Sequence, residues 1–144
     1  MFRNAGAAIA LLAVLGTATA CTFLSSNAAR AADYSVDFGV DTVNAGKDAG
    51  TVACQLKQTC KVKIESLELN VSFYLAWKKS GEAVVKLEKD DLTCCYFSGG
   101  GRSAIVNAHT KLSRLTFFKG RAPRGGLFIQ NEHAGILYLR FDLQ

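Results

Sequence analysis

The chain has 144 residues, of which 49% are hydrophobic, 20% charged and 10% aromatic, and its formal net charge is +5. This composition is too apolar and too weakly charged for an intrinsically disordered protein. Thirteen Gly, a single Pro and no internal repeat exclude collagen-like, solenoid and low-complexity classes. We expect one globular domain, since the length suits one domain rather than two.

The N-terminal segment, residues 1–31, differs from the rest of the chain. It contains no Asp or Glu, has one early cation at Arg3, and continues as an apolar run that leads through a short polar stretch to Ala29-Arg30-Ala31. A positive start, an apolar core and a small-x-small exit are the parts that a signal peptidase recognises. We therefore predict a secretory signal peptide over residues 1–31 and a single all-β domain over residues 32–144. A retained membrane anchor is the alternative, because the run is nearly long enough to span a bilayer.

A second small-x-small exit, Ala18-Thr19-Ala20, stands directly before Cys21. This arrangement resembles the bacterial lipoprotein box, in which the Cys is diacylated, although Ala18 stands where that pattern prefers Leu. The Ala-rich signal also looks bacterial. We expect a periplasmic or secreted protein without a membrane span after signal cleavage, with a lipoprotein anchored through Cys21 as the alternative. Either route leaves four of the five Cys for two disulfides.

Period-two alternation of apolar and polar residues recurs along the mature chain and predicts strands. The first strand is predicted at 34–40, and the Gly- and Asp-containing stretch 44–50 is predicted to be a loop. Two alternating runs follow at 62–64 and 67–77, with a phase slip at Glu65-Ser66. Because no Gly, Pro or Asn stands there to make a tight turn, we predict a bulge in one long bent strand.

The remainder of the chain is divided by turn-forming residues into shorter segments. The predicted turns are 79–81, 89–91, 99–101 and 131–135, and the predicted strands are 83–88, 92–97, 104–107, 115–118, 127–130 and 137–143. About eight short strands with one apolar face each must cover one another. The sequence therefore predicts an antiparallel β-sandwich or a flattened barrel.

Four Cys in a short exported chain most often form structural disulfides. Adjacent Cys94 and Cys95 rarely pair with each other, and on a strand they point to opposite faces. We therefore predict that Cys54 and Cys60 are cross-linked to Cys94 and Cys95 in either order, with Cys54–Cys60 as the alternative. The spacing does not match a zinc ribbon, so no metal or other cofactor is expected.

The sequence contains no Gly-x-Ser-x-Gly elbow, phosphate loop or His-Glu-x-x-His motif, so we do not expect an enzyme. A small hydrolase that uses His109 or His133 as general base is the catalytic alternative. Tyr138 and Arg140 share the polar face of the last strand. They would be typical interface anchors if that face is exposed.

Charge divides the mature chain into two parts. Residues 33–101 carry 8 Lys and Arg against 10 Asp and Glu, whereas residues 102–144 carry 7 against 2. Five of the later cations cluster in one region: Lys111, Arg114, Lys119, Arg121 and Arg124. A basic loop on a rigid β scaffold suits an anionic surface or an acidic protein. Nucleic acid is disfavoured because no motif for it is present.

The leading hypothesis is therefore a small, non-enzymatic binding module of the bacterial envelope that contacts an anionic partner through these five cations. The second hypothesis is a structural envelope subunit that associates by strand-edge pairing. The sequence leaves the oligomeric state open.

Overall fold

A computed structural model of the chain describes residues 31–89, 94–123 and 132–144. These residues form nine strands and one short 3₁₀ turn. The strands are β1 Tyr34–Thr42, β2 Gly46–Cys54, β3 Thr59–Ile64, β4 Leu69–Leu75, β5 Glu82–Glu88, β6 Cys94–Phe97, β7 Ser103–Asn107, β8 Ser113–Lys119 and β9 His133–Asp142. The predicted signal peptide, except its last residue, and the predicted strand 127–130 lie outside the described residues.

The strands form two antiparallel sheets that pack face to face as a β-sandwich. The larger sheet has the order β2-β1-β9-β8-β6, and the smaller has the order β3-β4-β5-β7. The all-β class and the sandwich architecture are thus as predicted, and the flattened barrel is not what forms. The Cys54–Cys60 disulfide cross-links strand β2 of the larger sheet to strand β3 of the smaller one.

Alternating side chains of both sheets fill the space between them. Phe73 of β4 and Leu139 of β9 have no exposed surface, and the ring of Phe73 meets that of Phe141 edge-on, with centroids 6.3 Å apart. Each such side chain stabilises the fold by about 1.5–3 kcal/mol through its removal from water. The apolar alternation in the sequence therefore identifies the core faces of these strands correctly.

The predicted loop at 44–50 is wrong for most of its length, because only the turn Val43–Ala45 separates β1 from β2. Strand β2 lies at the edge of the larger sheet and pairs with β1 along its whole length, from Thr42 opposite Gly46 onwards. An edge strand needs no continuous apolar side-chain row. Gly50 belongs in it for a steric reason, since a Cβ there would lie 2.9 Å from Cζ of Phe38.

The predicted bulge at Glu65-Ser66 is also wrong, because β3 and β4 form a hairpin in which Ile64 pairs with Leu69. The connection is the 3₁₀ turn Glu65–Leu67, followed by Glu68 in the left-handed region at φ 49°. Turns that need this conformation usually have Gly or Asn in this position. The sequence has Glu68 instead, so no local signal indicates the turn.

The last strand begins earlier than predicted. His133 is the first residue of β9, and Gly135 lies within it opposite Phe117, so the predicted turn 131–135 is wrong from His133 onward. A Cβ at Gly135 would lie 2.6 Å from the Asp41 carbonyl oxygen. Glycine is therefore required here because the backbones of β1 and β9 approach closely, and not because the residue forms a turn, as we predicted.

The predicted cross-linking of the cysteines is wrong. The alternative pairing Cys54–Cys60 is found, together with a bond between the neighbours Cys94 and Cys95, which we expected not to pair. Cys54 at the end of β2 is bonded to Cys60 on β3, with their Cα atoms 5.6 Å apart, so this disulfide joins the two sheets. Cys94 is bonded to Cys95. Strands β2 and β6 form opposite edges of the larger sheet, about 19 Å apart at four strand spacings. A disulfide between them is therefore out of reach.

Candidate binding surface

The five cations predicted to form one site are divided by strand β8. Lys111 lies in the turn before this strand and Arg114 is its second residue, whereas Lys119 is its last residue and Arg121 follows it. Seven strand residues span about 20 Å, so the two pairs lie at opposite ends of the sandwich. Arg124 lies outside the described residues. Of the more distant pair, Lys119 is bonded to Glu132 at 2.9 Å.

The end of the sandwich that holds Lys111 gathers three connecting turns, and we call it the basic end. The turns are 55–58 between β2 and β3, 76–81 between β4 and β5, and 108–112 between β7 and β8, and the end of β9 lies beside them. Six cations belong to this end: Lys57, Lys78, Lys79, Lys111, Arg114 and Arg140.

Backbone hydrogen bonds hold these turns against one another. The N–H of Lys57 donates to the Leu75 carbonyl at 2.9 Å, and the N–H of Ala108 donates to the Gly81 carbonyl at 2.6 Å. Gly81 has φ +68°, and a Cβ on it would overlap the ring of His109. The basic end is therefore a fixed surface built from several segments rather than one loop.

Trp77 is the most prominent apolar group of this surface, with 59% of the residue exposed. The ammonium of Lys57 lies 3.7 Å from the centroid of its ring. A cation over an indole face is attracted by the quadrupole of the ring. An exposed Trp flanked by Lys side chains is a combination typical of protein surfaces at membrane–water interfaces.

Beside this surface lies an open depression of about 450 Å³, which two cations reach from different elements. It is lined by His109, Thr110, Lys111, Arg140, Phe141 and Asp142. Arg140 is anchored, because its Nε donates to Asp37 at 2.9 Å. The Thr51 hydroxyl and Arg140 both donate to Asp37 and hold the pKa of that carboxyl below its ordinary value.

Three cations of the basic end have no described ion-pair partner: Lys79, Lys111 and Arg114. At the opposite end of the strands, Lys47 pairs with Asp41, Lys63 with Glu65 and Lys119 with Glu132. The basic end therefore presents cations without ion pairs, although the carboxylate of Asp142 lines the same depression as Lys111.

The two histidines are far apart in the fold. His109 lies at the basic end, where its backbone N–H donates to Oδ1 of Asn107 at 2.9 Å. His133 begins β9 at the other end and meets the Phe118 ring edge-on, with centroids 5.8 Å apart. The structure does not bring them into one site. Within the described ranges, no group of three His, Cys, Asp or Glu side chains is placed to hold a metal ion.

Sequence reasoning missed Trp77 and the lysines beside it. The available signal was local, since Trp77-Lys78-Lys79 ends an apolar alternation with one aromatic and two cations. Tyr138, expected on an outer face, does lie there, opposite Gly39 and Arg114 and half-buried. The contribution of Lys57 depends on the turn that connects β2 of the larger sheet to β3 of the smaller one, and the local sequence does not show that this turn lies near Trp77.

No protein-family model matches the chain, and no curated protein or solved structure is significantly similar to it. Among the residues that the structure describes, no helix is long and apolar enough to cross a membrane. The surfaces of the sandwich itself are therefore the basis on which a function is proposed.

Proposed function

We propose that the protein is an exported, non-enzymatic binding module of the bacterial envelope, and that its basic end docks on an anionic lipid surface. The observation that carries this proposal is the exposed ring of Trp77 under the Lys57 ammonium, on a surface where Lys79 and Lys111 make no ion pair with a described residue. Each Lys near an anionic membrane adds a favourable contribution to binding, and Trp is enriched at membrane–water boundaries.

The shape of the basic end supports a broad surface rather than a single anionic group. Four of its six cations come from the three turns, and all four are lysines, which act as compact point charges on flexible stems. An arginine fork aimed into an enclosed cavity would instead suit one carboxylate or phosphate. Arg140, which lines the open depression, is already engaged by Asp37.

Vesicle sedimentation tests the proposal. We expect the protein to bind vesicles that contain phosphatidylglycerol and to remain in solution with phosphatidylcholine alone. Lys79→Ala combined with Lys111→Ala should weaken binding by about tenfold or more, with a further loss on Trp77→Ala. The matched control is Lys63→Ala combined with Lys119→Ala, which removes the same charge from the opposite end.

Three outcomes would contradict this assignment. Equal losses in the two double variants would indicate a response to net charge alone. Loss confined to Arg121→Ala combined with Arg124→Ala would place the contact in the segment predicted from sequence. Binding to polyglutamate without binding to vesicles would indicate an acidic protein as the partner.

A further inference from the structure

The two edges of the smaller sheet differ in how they are attached to the larger sheet. Strands β2 and β3 are joined by the Cys54–Cys60 disulfide and by hydrogen bonds from Ser66 to Asp48. On the other side, β6 is only four residues long and has a register shift against β8. Among the described residues, strand β7 pairs with β5 and with no strand on its other side.

The backbone of β7 presents alternate residues to this open edge. The Arg102 carbonyl and the Ala108 N–H bond toward the β5 side, at 2.8 and 2.6 Å. Residues of the opposite parity, Ser103, Ile105 and Asn107, therefore direct their N–H and C=O groups outward. The Asn107 carbonyl accepts from Thr110, and no described residue pairs with the outward backbone groups of Ser103 or Ile105.

A row of exposed apolar side chains ends at the same edge. Tyr74, Val84 and Ile105 lie side by side on the outer face of β4, β5 and β7, since Tyr74 pairs with Val84 and Val84 with Ile105. They are 39%, 37% and 71% exposed, respectively. The strand carries no charged residue and no Pro, the usual devices that keep an edge from pairing.

We propose that β7 pairs antiparallel with β7 of a second copy of this chain, in a register centred on Ile105. In this register Ile105 faces Ile105 of the second copy, and Ser103 faces Asn107. The outward N–H and C=O groups of Ile105 then form a hydrogen-bonded pair with those of the second copy, and the Ser103 carbonyl accepts from the N–H of Asn107 in the second copy. The two apolar rows join into one row of six side chains across a continuous eight-stranded sheet.

Charge complementarity favours a second copy as the occupant. Lys86 pairs with Ser103 across β5 and β7, and Glu82 pairs with Asn107. Because Ser103 faces Asn107 of the second copy, the proposed register aligns Lys86 of one chain with Glu82 of the other. This alignment occurs twice, once on each side of the apolar row, with the Cα atoms of the two charged residues three strand spacings, about 14 Å, apart. Lys86 also lies 3.4 Å from Glu88 of its own chain, so the alignment adds only a long-range complementarity to this register, and it brings no like charges together.

Sedimentation of the purified protein across a wide concentration range is the first test. A contact of this size is small, so we expect a monomer–dimer equilibrium that is visible only at high concentration. Ile105→Lys places like charges opposite each other at the centre of the contact and should weaken dimerisation by about tenfold or more. Val43→Lys is the matched control, because Val43 is 54% exposed in a turn away from this edge. Circular dichroism and the melting temperature verify that both variants fold.

A disulfide trap tests the register. Paired residues of an antiparallel ladder have Cα atoms about 5.5 Å apart, within disulfide range. Ile105→Cys should therefore give a covalent dimer on mild oxidation. Val84→Cys should not, since Val84 and its counterpart would lie three strand spacings apart, about 14 Å. Mass spectrometry of tryptic peptides identifies the linked position and separates it from exchange with the native cysteines.

The proposal is overturned by a chain that remains monomeric throughout the concentration range. It is also overturned by dimers that Ile105→Lys and Val43→Lys affect equally, or by equal trapping at the two Cys positions. A monomer whose edge instead binds a β-strand peptide of a different sequence would assign β7 to another protein. None of these outcomes depends on vesicle binding, so this proposal and the proposed function can fail separately.

Discussion

Asp48 accepts two hydrogen bonds from Ser66, one from its backbone N–H at 3.1 Å and one from its hydroxyl at 2.5 Å. Asp48 belongs to the larger sheet, and Ser66 to the 3₁₀ turn of the smaller one. The two sheets are therefore joined along their β2 and β3 edges at one end by these bonds and at the other by the Cys54–Cys60 disulfide. At the other edge of the smaller sheet, β7 has no described strand on its outer side.

The Asp48–Ser66 contact predicts an acid response. Hydrogen bonds from the Ser66 hydroxyl and then its N–H lower the pKa of Asp48 from its ordinary value of 3.8. The folded state therefore prefers the carboxylate, and its contribution to stability is present above pH 3.8 and lost as the pH falls through the lowered pKa. Asp48→Asn should melt at a lower temperature at pH 7 and lose less stability than the parent on acidification. Glu68→Gln, whose carboxylate accepts no hydrogen bond from described residues, should follow the parent.

The disulfide pairing predicts a specific tryptic map. Cleavage after Lys57 separates Cys54 from Cys60, so unreduced digests should contain residues 48–57 linked to residues 58–61. Cys94 and Cys95 should be found together in the peptide 90–102, which is linked to nothing else. A link between 90–102 and either of the other peptides would contradict the structure.

Removal of the inter-sheet disulfide should measurably destabilise the fold. Cys54→Ser combined with Cys60→Ser opens a short loop, and the chain-entropy model gives a loss of about 2 kcal/mol in the free energy of unfolding. Urea denaturation of the variant and the parent measures this difference. An unchanged midpoint would show that the turn between β2 and β3 is already fixed by its hydrogen bonds.

Replacement of Tyr34 by Phe is expected to have the opposite effect on stability from removal of the disulfide. Its side chain has no exposed surface, and no described group accepts a hydrogen bond of ordinary geometry from its hydroxyl. Tyr34→Phe should therefore leave the free energy of unfolding unchanged or raise it by up to about 1 kcal/mol. A loss greater than about 1 kcal/mol would mean that the hydroxyl has a partner.

The titration of Tyr34 supplies a second measurement on the same variant. Burial raises the pKa of Tyr34 above its ordinary value of 10.0. The stability linked to this group is complete below pH 10 and is lost as the pH rises toward the raised pKa, because the unfolded chain releases the proton first. Tyr34→Phe should remove this part of the alkaline destabilisation.

Gly81 predicts a coupling between two turns of the basic end. Any side chain there would be strained at φ +68° and would overlap His109. Gly81→Ala should therefore lower stability by about 1–3 kcal/mol and weaken vesicle binding, because the turns of Trp77 and Lys111 are held together at this position. Gly99→Ala is the control, since a Cβ at Gly99 meets nothing within 4 Å. Equal stability of the two variants would contradict this role.

Alternation predicted the strands that contribute to the core, because each must place one apolar face between the sheets. It failed where the structure depends on something other than burial. Edge strand β2 needs little apolar character, and the Glu68 turn forms without Gly, Asn or Pro. The order of strands in the sheets, which places Cys54 far from Cys94, is a long-range property that the local pattern does not encode.

The candidate site was predicted only in part. The excess of positive charge after residue 102 drew attention to Lys111 and Arg114, which the structure places at the basic end. Lys57 and Trp77, which also belong to the basic end, come from the other half of the chain, whose net charge is negative. A sum of charges over sequence segments therefore cannot identify them. Only the packing of three separate turns brings these residues to one end.

The antiparallel register of the β7 contact has a consequence for the direction in which each chain faces. The basic end lies just beyond the last residue of β7, so two chains joined through antiparallel β7 strands carry their basic ends at opposite extremities. With the proposed membrane contact at the basic end, a single chain would attach to one membrane. A dimer would have two such ends and could link two membranes. Vesicles should therefore cluster only at the concentrations at which dimers form, and Ile105→Lys should abolish clustering while it leaves attachment intact.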